Sequence, residues 1–269
     1  MTFNTLSLTR IAASLAKAMG IEAPNEAEEP LPQIETLVKN HCRSGKAEKM
    51  LLYCPDAIGQ WLIQKYTNDF SPVMRYTQLA LPLLTAFPPV TPVCFATMFT
   101  GAKPAVHGIR KYEKPVVSID TLFDALARAG KKTALAAIKD SSMGTIFAGR
   151  NIDYYIEPDG GHTTAKGLEL LEKADYDVIV VYTMEYDDSI HLTHPESPAS
   201  YKAMVTHNRQ FALLAEKAAE KWAAYDTLIA YMTDHGIHKD IFGQGTHYAD
   251  IPEDMNITHF FGIQPAHKD

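Results

Sequence analysis

Carboxylate and imidazole side chains follow three apolar segments of this chain at the point where each segment ends. Asp56 comes after "LLYCP", Asp187 after "VIVVYTMEY" and Asp234 after "LIAYMT". His191 follows Asp187 by four residues, so one turn of backbone could direct both side chains at one ion. His235 is adjacent to Asp234 and would point in a different direction, which suits two neighbouring ions. Each Asp alone could equally cap a helix or begin a turn.

A further histidine, His247, lies in the glycine-rich segment "GQGTHY". A backbone with few side chains can bring an imidazole close to a cation. Carboxylates together with imidazoles are the ligands expected for zinc or a similar transition metal, whereas carboxylates alone would favour magnesium or calcium. The combined pattern therefore predicts a transition-metal centre.

The segment "VTPVCFATMFTG" predicts a buried helix with a polar residue at its start. Pro is favoured in the first turn of a helix, so we expect Thr91 at the N-cap, Pro92 at N1 and Gly101 beyond the end. The Thr91 hydroxyl would then lie at the positive end of the helix dipole, where phosphate also binds well. A plain capping threonine is the alternative. Beside a metal cluster, a metal-activated nucleophile is the better hypothesis.

Strands and helices are predicted to alternate along the chain. Helical patterns include "TLFDALARAG" capped by Asp120, "TAKGLELLEKA" after Thr163, and a long amphipathic stretch from about Pro198 to Trp222. This alternation indicates an α/β fold, a three-layer α/β/α sandwich with a mostly parallel central sheet. Ligand sites in such sheets form beyond the carboxyl ends of the strands, where the acidic residues would meet. The predicted strands are "KMLLYCP", "KKTALAAI", "DVIVVYTM", "TLIAYMT" and "THFFGI".

The 269 residues are predicted to form one domain. It would comprise an N-terminal helix over residues 1–20, a proline-rich acidic surface connection over 21–35, and a catalytic core over 36–269. The residues of the first helix expected to face inward are Leu8, Ile11, Leu15 and Met19.

Composition excludes several classes of protein. The formal net charge of −7 argues against binding to a nucleic-acid polymer, which needs a basic surface. The three cysteines (Cys42, Cys54 and Cys94) are an odd number without metal-ribbon spacing, which favours a reducing compartment. No apolar stretch reaches the roughly 20 residues of a membrane span. We therefore expect a cytoplasmic protein without membrane contacts.

Taken in order, Asp56 and the segments "TPVCFATMFTG", "PAVHGI", "YDDSIH", "TDHG" and "GTH" resemble the alkaline phosphatase superfamily, in particular its type I phosphodiesterase/nucleotide pyrophosphatase family. The resemblance extends from about Lys49 to Pro265. It implies an alkaline phosphatase-like fold, hydrolysis of phosphoric esters, and two divalent metal ions of zinc type, with manganese or iron as alternatives. The implied ligands are Asp187, His191 and His247 at one ion, and Asp56, Asp234, His235 and the Thr91 oxygen at the other.

The chain departs from the family pattern at three positions. Cys94 stands where nucleotide pyrophosphatases carry an Asn that helps to hold a phosphate oxygen, and Tyr248 stands where the family has Gly. His194 in "HLTHP" is also unexpected. There is little room for the large insertions that form substrate pockets in bigger relatives. The resemblance thus implies a retained catalytic centre and a remodelled substrate pocket.

The resemblance implies in-line attack by Thr91 on the phosphorus of a small-molecule ester, with ions ~4 Å apart stabilising the attacking and leaving oxygens. We expect a phosphodiesterase or nucleotide pyrophosphatase, because no Lys or Arg is closer in sequence to Thr91 than Lys103, although Lys111 or Lys139 could arrive from a distant loop. A phosphomonoesterase and a catalytically inactive metal-binding relative remain alternatives. A phosphomutase would need an insert domain, which is not evident in this sequence. A sulfatase would need a CxPxR pattern, and the residues after Cys94 do not form one.

Overall fold

The computed structural model describes residues 2–267, so Met1, Lys268 and Asp269 of the predicted domain lie outside the described residues. Two short 3-10 helices, Leu8–Arg10 and Thr67–Phe70, accompany the regular elements. The strands are β1 (Lys49–Pro55), β2 (Leu79–Leu84), β3 (Thr133–Ile138), β4 (Asp153–Glu157), β5 (Val178–Thr183), β6 (Thr227–Tyr231), β7 (His238–Lys239), β8 (Gly245–Thr246) and β9 (Asn256–Gln264). The helices are α1 (Ile11–Ala18), α2 (Pro32–His41), α3 (Gln60–Lys65), α4 (Ser71–Met74), α5 (Thr91–Thr100), α6 (Pro104–His107), α7 (Leu122–Arg128), α8 (Ser142–Ile146), α9 (Gly160–Lys173), α10 (Glu185–Leu192), α11 (Pro198–Lys221) and α12 (Pro252–Met255).

A seven-stranded sheet with the order β2-β9-β6-β1-β5-β3-β4 forms the middle layer. Neighbouring strands from β6 to β4 are parallel, and β9 is antiparallel to both of its neighbours. Helices α1, α2, α5, α7 and α8 share one apolar core with one face of the sheet, and α3, α4, α9, α10 and α11 share a second core with the other. The predicted three-layer α/β/α sandwich with a mostly parallel sheet is therefore confirmed.

The sequence prediction missed the two outermost strands, β2 and β4. Both are only partly buried, so neither has the continuous apolar run by which the central strands were identified. Pro82 lies inside β2, which argues against a strand. It is tolerated there because β2 lies at the edge of the sheet, where a missing N–H breaks no ladder.

The cap of α7 differs from the prediction. Thr121, not Asp120, is the N-cap, because its side chain and that of Asp124 each accept a backbone N–H in a capping box. Asp120 instead accepts two hydrogen bonds from Arg128, at 2.6 and 2.8 Å. Asp120 and Thr121 are consecutive residues that can both cap a helix, so residue type alone does not determine which of them is the N-cap.

Helix α9 begins three residues before Thr163, so the predicted start after Thr163 is wrong. Asp159 caps α9 by accepting the N–H of His162. The pair of glycines in the first turn, Gly160 and Gly161, obscured this start. The Thr163 hydroxyl donates inside the helix to the Gly160 carbonyl oxygen at 2.9 Å. The long helix predicted from about Pro198 is confirmed as α11.

The segment over 21–35 is not a surface connection throughout. Pro32 opens α2, and Leu31 and Ile34 are fully buried. Pro32 is compatible with a linker, but proline is also favoured in the first turn of a helix, which is its position here. Four residues of the N-terminal segment are buried as predicted: Leu8, Ile11, Leu15 and Met19.

Helix α5 is buried along its whole length between α1, α7 and α8. Its N-cap is Val90, which has an extended backbone, so Thr91 occupies N1 rather than the predicted N-cap. Gly101 ends the helix in the left-handed conformation with φ +73°, as expected of a residue just past a helix. A Cβ at Gly101 would lie 2.5 Å from the Cβ of Ala27.

In the part of the chain from residue 2 to residue 267, no helix is both long and apolar enough to cross a lipid bilayer.

The contact at Gly101 leads to a test of how tightly α5 is held. Gly101→Ala should lower the free energy of unfolding by about 1 kcal/mol for the left-handed backbone and by about a further 1–3 kcal/mol for the overlap with Ala27. Gly130→Ala is the matched control, because Gly130 has φ +71° with nothing within 4 Å of an added Cβ. Urea unfolding that gives equal losses for both variants would show that the loop around Ala27 yields freely.

Candidate metal centre

The ends of three adjacent parallel strands bring the predicted acidic residues together. Asp56 follows β1, Asp234 follows β6, and α10 after β5 carries Asp187 and His191. All three carboxylates lie on the carboxyl-terminal edge of the sheet because β6, β1 and β5 are parallel neighbours.

The first group of candidate ligands consists of Asp187, His191 and His247. The His191 Nε2 lies 3.4 Å from Asp187 Oδ1 and 3.3 Å from His247 Nε2. The His247 Nε2 lies 3.8 Å from the same Asp187 oxygen. These separations allow the three atoms to bind one ion. His247 reaches α10 because Gly245 has no side chain and lets its loop approach the helix closely. A Cβ at Gly245 would lie 2.6 Å from the carbonyl oxygen of Ile190.

The second group surrounds the Nε2 atom of His235. This nitrogen lies 3.4 Å from Asp56 Oδ1, 3.3 Å from Asp234 Oδ2 and 3.4 Å from the Thr91 hydroxyl oxygen. Asp187 also has a carboxylate oxygen within reach of an ion held by Asp56 and His235. The structure thus brings all seven predicted residues together, and it places Asp187 between the two groups rather than in one alone.

Backbone carbonyl oxygens orient two of the imidazoles. The Nδ1 of His247 lies 2.7 Å from the Pro89 carbonyl oxygen, and the Nδ1 of His235 lies 2.9 Å from that of Gly236. A carbonyl oxygen only accepts hydrogen bonds, so each Nδ1 carries the proton and donates it. The Nε2 lone pairs are therefore available to a metal ion, as is usual for histidine ligands.

Within the two ligand groups, three buried carboxylate oxygens have no hydrogen-bond partner among the described residues: Asp56 Oδ1, Asp187 Oδ1 and Asp234 Oδ2. They are the atoms nearest to the histidine nitrogens. The other oxygens are held in place, since the Tyr182 hydroxyl donates to Asp56 Oδ2 and the Ala57 N–H donates to Asp234 Oδ1 at 3.1 Å. Buried carboxylate oxygens without a partner are costly unless they bind a cation. This donor set fits transition-metal ions of the zinc type.

The pKa values in the cluster reflect burial and repulsion between carboxylates. Burial, together with the charges of Asp234 and Asp187, raises the pKa of Asp56 well above its usual range. Burial and the charge of Asp187 raise the pKa of Asp234 to about 7, although the Ala57 N–H opposes this shift. Burial and the neighbouring His235 lower the pKa of His247 to about 3. A bound cation would offset the repulsion between the carboxylates and so stabilise their ionised form beside the neutral imidazoles.

Asp187 and His191 form a pair with mutually favourable charges. The Asp187 carboxylate, whose Oδ1 lies 3.4 Å from the His191 Nε2, raises the pKa of His191 despite its partial burial. Burial is the largest influence and pushes the pKa of Asp187 upward, but the interaction with His191 and the charges of His235 and His247 together outweigh it, so the net pKa lies below its usual value. Among the three imidazoles, the pKa is raised only for His191, so His191 is the one most readily protonated when no metal is bound.

Two of the three departures from the family pattern, Tyr248 and Cys94, have different structural settings. Tyr248 has φ +108°, a conformation that favours glycine, and its ring stacks on His247 at a centroid distance of 5.0 Å. Cys94 is fully buried, with its sulfur 3.7 Å from the Ala86 carbonyl oxygen. Burial and the charge of Asp234 raise the pKa of the Cys94 thiol well above its usual value, so this thiol stays neutral.

A pocket of about 130 Å³ beside Thr91 contains Lys139, which the sequence analysis named as a residue that could arrive from a distant loop, and also Tyr182 and Lys114, which it did not name; Lys111 does not line this pocket. Tyr182 belongs to β5, and its fixed hydroxyl orients Asp56. Lys114 and Lys139 line the same pocket. Lys139 directly follows β3 in the same way that Asp56 follows β1, and this position at a strand end is a local signal for its place at the site.

Comparison with known proteins gives one family and several similar folds. A sequence profile described as type I phosphodiesterase / nucleotide pyrophosphatase matches residues 54–240. No curated protein sequence matches the chain.

Three solved structures illustrate the similarity of fold. Phosphonoacetate hydrolase from Sinorhizobium meliloti 1021 is 15% identical with a TM-score of 0.54, covering 72% of this chain and 57% of that one. Human ectonucleotide pyrophosphatase / phosphodiesterase 5 is 20% identical with a TM-score of 0.56, covering 71% and 57%. The periplasmic domain of a phosphoethanolamine transferase from Campylobacter jejuni is 13% identical with a TM-score of 0.57, covering 81% and 80%. The chain thus spans little more than half the length of the first two.

Carboxylate repulsion leads to a prediction for Asp234→Asn. In the metal-free protein, the pKa of Asp234 rises from 3.8 to about 7 on folding, so the native state binds the proton more tightly. The stability that this proton provides is present below pH 3.8 and is lost as the pH rises through about 7. Asp234→Asn should therefore be the more stable apoprotein, with an advantage that grows from pH 4 to pH 8. Zinc should raise the melting temperature of the wild type more than that of the variant, which keeps only the ligand group of Asp187, His191 and His247 intact.

Asp250→Asn is the control, because Asp250 is exposed and lies outside both ligand groups. It should leave both the pH profile and the zinc response unchanged. A wild-type apoprotein that is more stable than Asp234→Asn at pH 8 would contradict the repulsion between carboxylates.

Proposed function

The chain belongs to the type I phosphodiesterase / nucleotide pyrophosphatase family, and on this basis we propose that it hydrolyses phosphoric esters at a centre of two divalent metal ions. The observation that supports this proposal best is the convergence of three buried carboxylate oxygens without partners and two imidazole lone pairs beside the Thr91 hydroxyl. This arrangement suits phosphoryl transfer, in which the protein contributes mainly positioning and charge.

In this proposal one ion is held by Asp187, His191 and His247. The other is held by Asp56, Asp234 and His235, with the Thr91 oxygen beside it. The bound ions would supply positive charge that lowers the pKa of a hydroxyl or water and neutralises phosphoryl oxygens. Zinc is the ion that this mixture of carboxylate and imidazole favours.

Thr91 is the proposed nucleophile. Its side chain lies at N1 of α5, where the positive end of the helix dipole favours an anionic oxygen and a bound phosphate. Burial of α5 along its whole length fixes the position of this hydroxyl. The Thr91 oxygen lies 3.4 Å from the Nε2 of His235, so it is next to the atoms of the second ligand group. During attack it would form a bond to phosphorus while the ester oxygen leaves, and water would then release the phosphoryl group.

Hydrolysis of phosphodiesters or of nucleotide-type pyrophosphates is the activity that the family match favours. A specific observation favours phosphomonoesters as a second candidate. No basic residue is close to Thr91 in the sequence, but Lys114 and Lys139 are close to it in the fold, because both line the pocket beside it. Such lysines could balance the additional negative charge of a monoester.

Replacement of Thr91 tests the nucleophile. Thr91→Ala should lower kcat by about 10³-fold or more, because it removes the attacking oxygen. Thr91→Ser should keep part of the activity, since it retains a hydroxyl. Both variants should bind metal and keep the far-ultraviolet circular dichroism of the wild type, since Thr91 supplies only one of the proposed ligands. Turnover by Thr91→Ala close to the wild-type rate would refute the assignment.

The ratio of kcat/KM for a diester and a monoester with the same aryl leaving group separates the two substrate classes. The family match predicts a ratio above one. Assays of the zinc-loaded enzyme at one pH and salt concentration would measure it. A ratio well below one would assign the enzyme to monoesters and leave the two-metal proposal intact.

A further inference from the structure

The pocket beside Thr91 combines the proposed reaction centre with two lysines on separate segments. Lys114 lies between α6 and α7, and Lys139 follows β3. The backbone at Asp140 is left-handed, with φ +59°, and this turn presents Lys139 and Ser141 on the pocket wall. The fold therefore brings two cationic side chains from distant parts of the sequence to the site of the phosphoryl group.

Neither lysine is neutralised by a carboxylate in residues 2–267, in contrast to Lys111, whose Nζ lies 3.5 Å from Glu113. The Lys114 Nζ donates a hydrogen bond of 2.7 Å to the backbone carbonyl oxygen of Asp140. Its distance to the centre of the Tyr112 ring is 5.6 Å. These contacts position the ammonium group without removing its charge, and two of its three donors stay available.

Hydroxyl groups accompany the two lysines. Ser141 and Ser142 line the pocket, and the Ser141 oxygen accepts the N–H of Gly144 at 3.2 Å. Its own proton therefore remains free to be donated into the pocket. The carboxylates of Asp56, Asp140, Asp187 and Asp188 also line the pocket. Ions bound by Asp56 and Asp187 would offset the charges of those two residues. The ammonium and hydroxyl donors would then be available to hold a carboxylate or phosphate group.

The size of the pocket restricts what it can hold. Its volume of about 130 Å³ is well below the roughly 300–1,000 Å³ of pockets for drug-sized ligands. A compact anionic group on a short linker fits this space, whereas a nucleoside would have to extend beyond it.

We propose that Lys114 and Lys139 bind a second anionic group of the substrate, a carboxylate or a phosphate, close to the phosphoryl group that reacts at Thr91. The preferred substrates are then small phosphoric esters with two anionic groups. This assignment of a substrate class rests on the proposed function. The lysines act as specificity-determining residues, and their charge distinguishes a substrate with the second group from one without it.

Calorimetric titration of the zinc-loaded protein with non-hydrolysable phosphonates tests this inference without relying on turnover. Propylphosphonate carries one anionic group, 3-phosphonopropionate with a terminal carboxylate carries two, and ethylene bisphosphonate replaces that carboxylate by a second phosphonate. Both doubly anionic probes should bind at least about tenfold more tightly than propylphosphonate, as expected for a charge-assisted hydrogen bond. The tighter of the two identifies the second group as carboxylate or phosphate. The preference should decrease as salt is added.

Lys114→Gln and Lys139→Gln should each remove most of this preference, since glutamine keeps a donor but not the charge. Lys111→Gln is the matched control, because Lys111 is an adjacent lysine outside the pocket, and it should retain the full preference. Equal binding of all three probes by the wild type, or a preference that survives both pocket substitutions, would overturn the inference. Assay of an aryl phosphodiester and of the matching aryl phosphomonoester on the same preparation separates the two proposals: a binding preference without turnover of either ester retains the anion site and rejects the hydrolase.

Discussion

Repulsion among three buried carboxylates is the constraint on which the rest of this structure depends. Asp56, Asp187 and Asp234 meet at one edge of the sheet, each with one buried oxygen that accepts no hydrogen bond from the described residues. They cannot turn away, because Tyr182 and the N–H of Ala57 hold the other oxygens of two of them. The fold thus maintains an arrangement that is unfavourable in isolation, as is common at functional sites. Divalent cations offset this repulsion directly.

The surrounding architecture serves to maintain this arrangement. Three parallel strands deliver the carboxylates to one edge, while α5, buried on all sides, places Thr91 against them. The loop that carries His247 packs closely on α10 through Gly245. Carbonyl oxygens then select the tautomers of His235 and His247 that leave Nε2 unprotonated. Each of these features is explained by a cation site, and none of them is required by a sheet and its helices alone.

The sequence predicted the central part of the fold and the grouping of the candidate ligands. Central strands are buried on both faces, so their apolar runs were evident, and acidic residues at their ends necessarily converge. Edge strands such as β2 lack that signal, and a proline inside β2 concealed it further. The position of Lys139 directly after β3 is a local signal, whereas the approach of Lys114 to Thr91 depends on the geometry of the long segment between α6 and α7, which no local pattern encodes. The strain at Tyr248 was likewise invisible until its φ angle was known.

Anomalous X-ray diffraction at the zinc absorption edge, from crystals grown with zinc, tests the central claim most directly. The account predicts two anomalous peaks per chain. One should lie among Asp187, His191 and His247, and the other between Asp56, Asp234 and His235. Absence of both peaks from crystals saturated with zinc, or peaks confined to other surfaces of the molecule, would contradict the account.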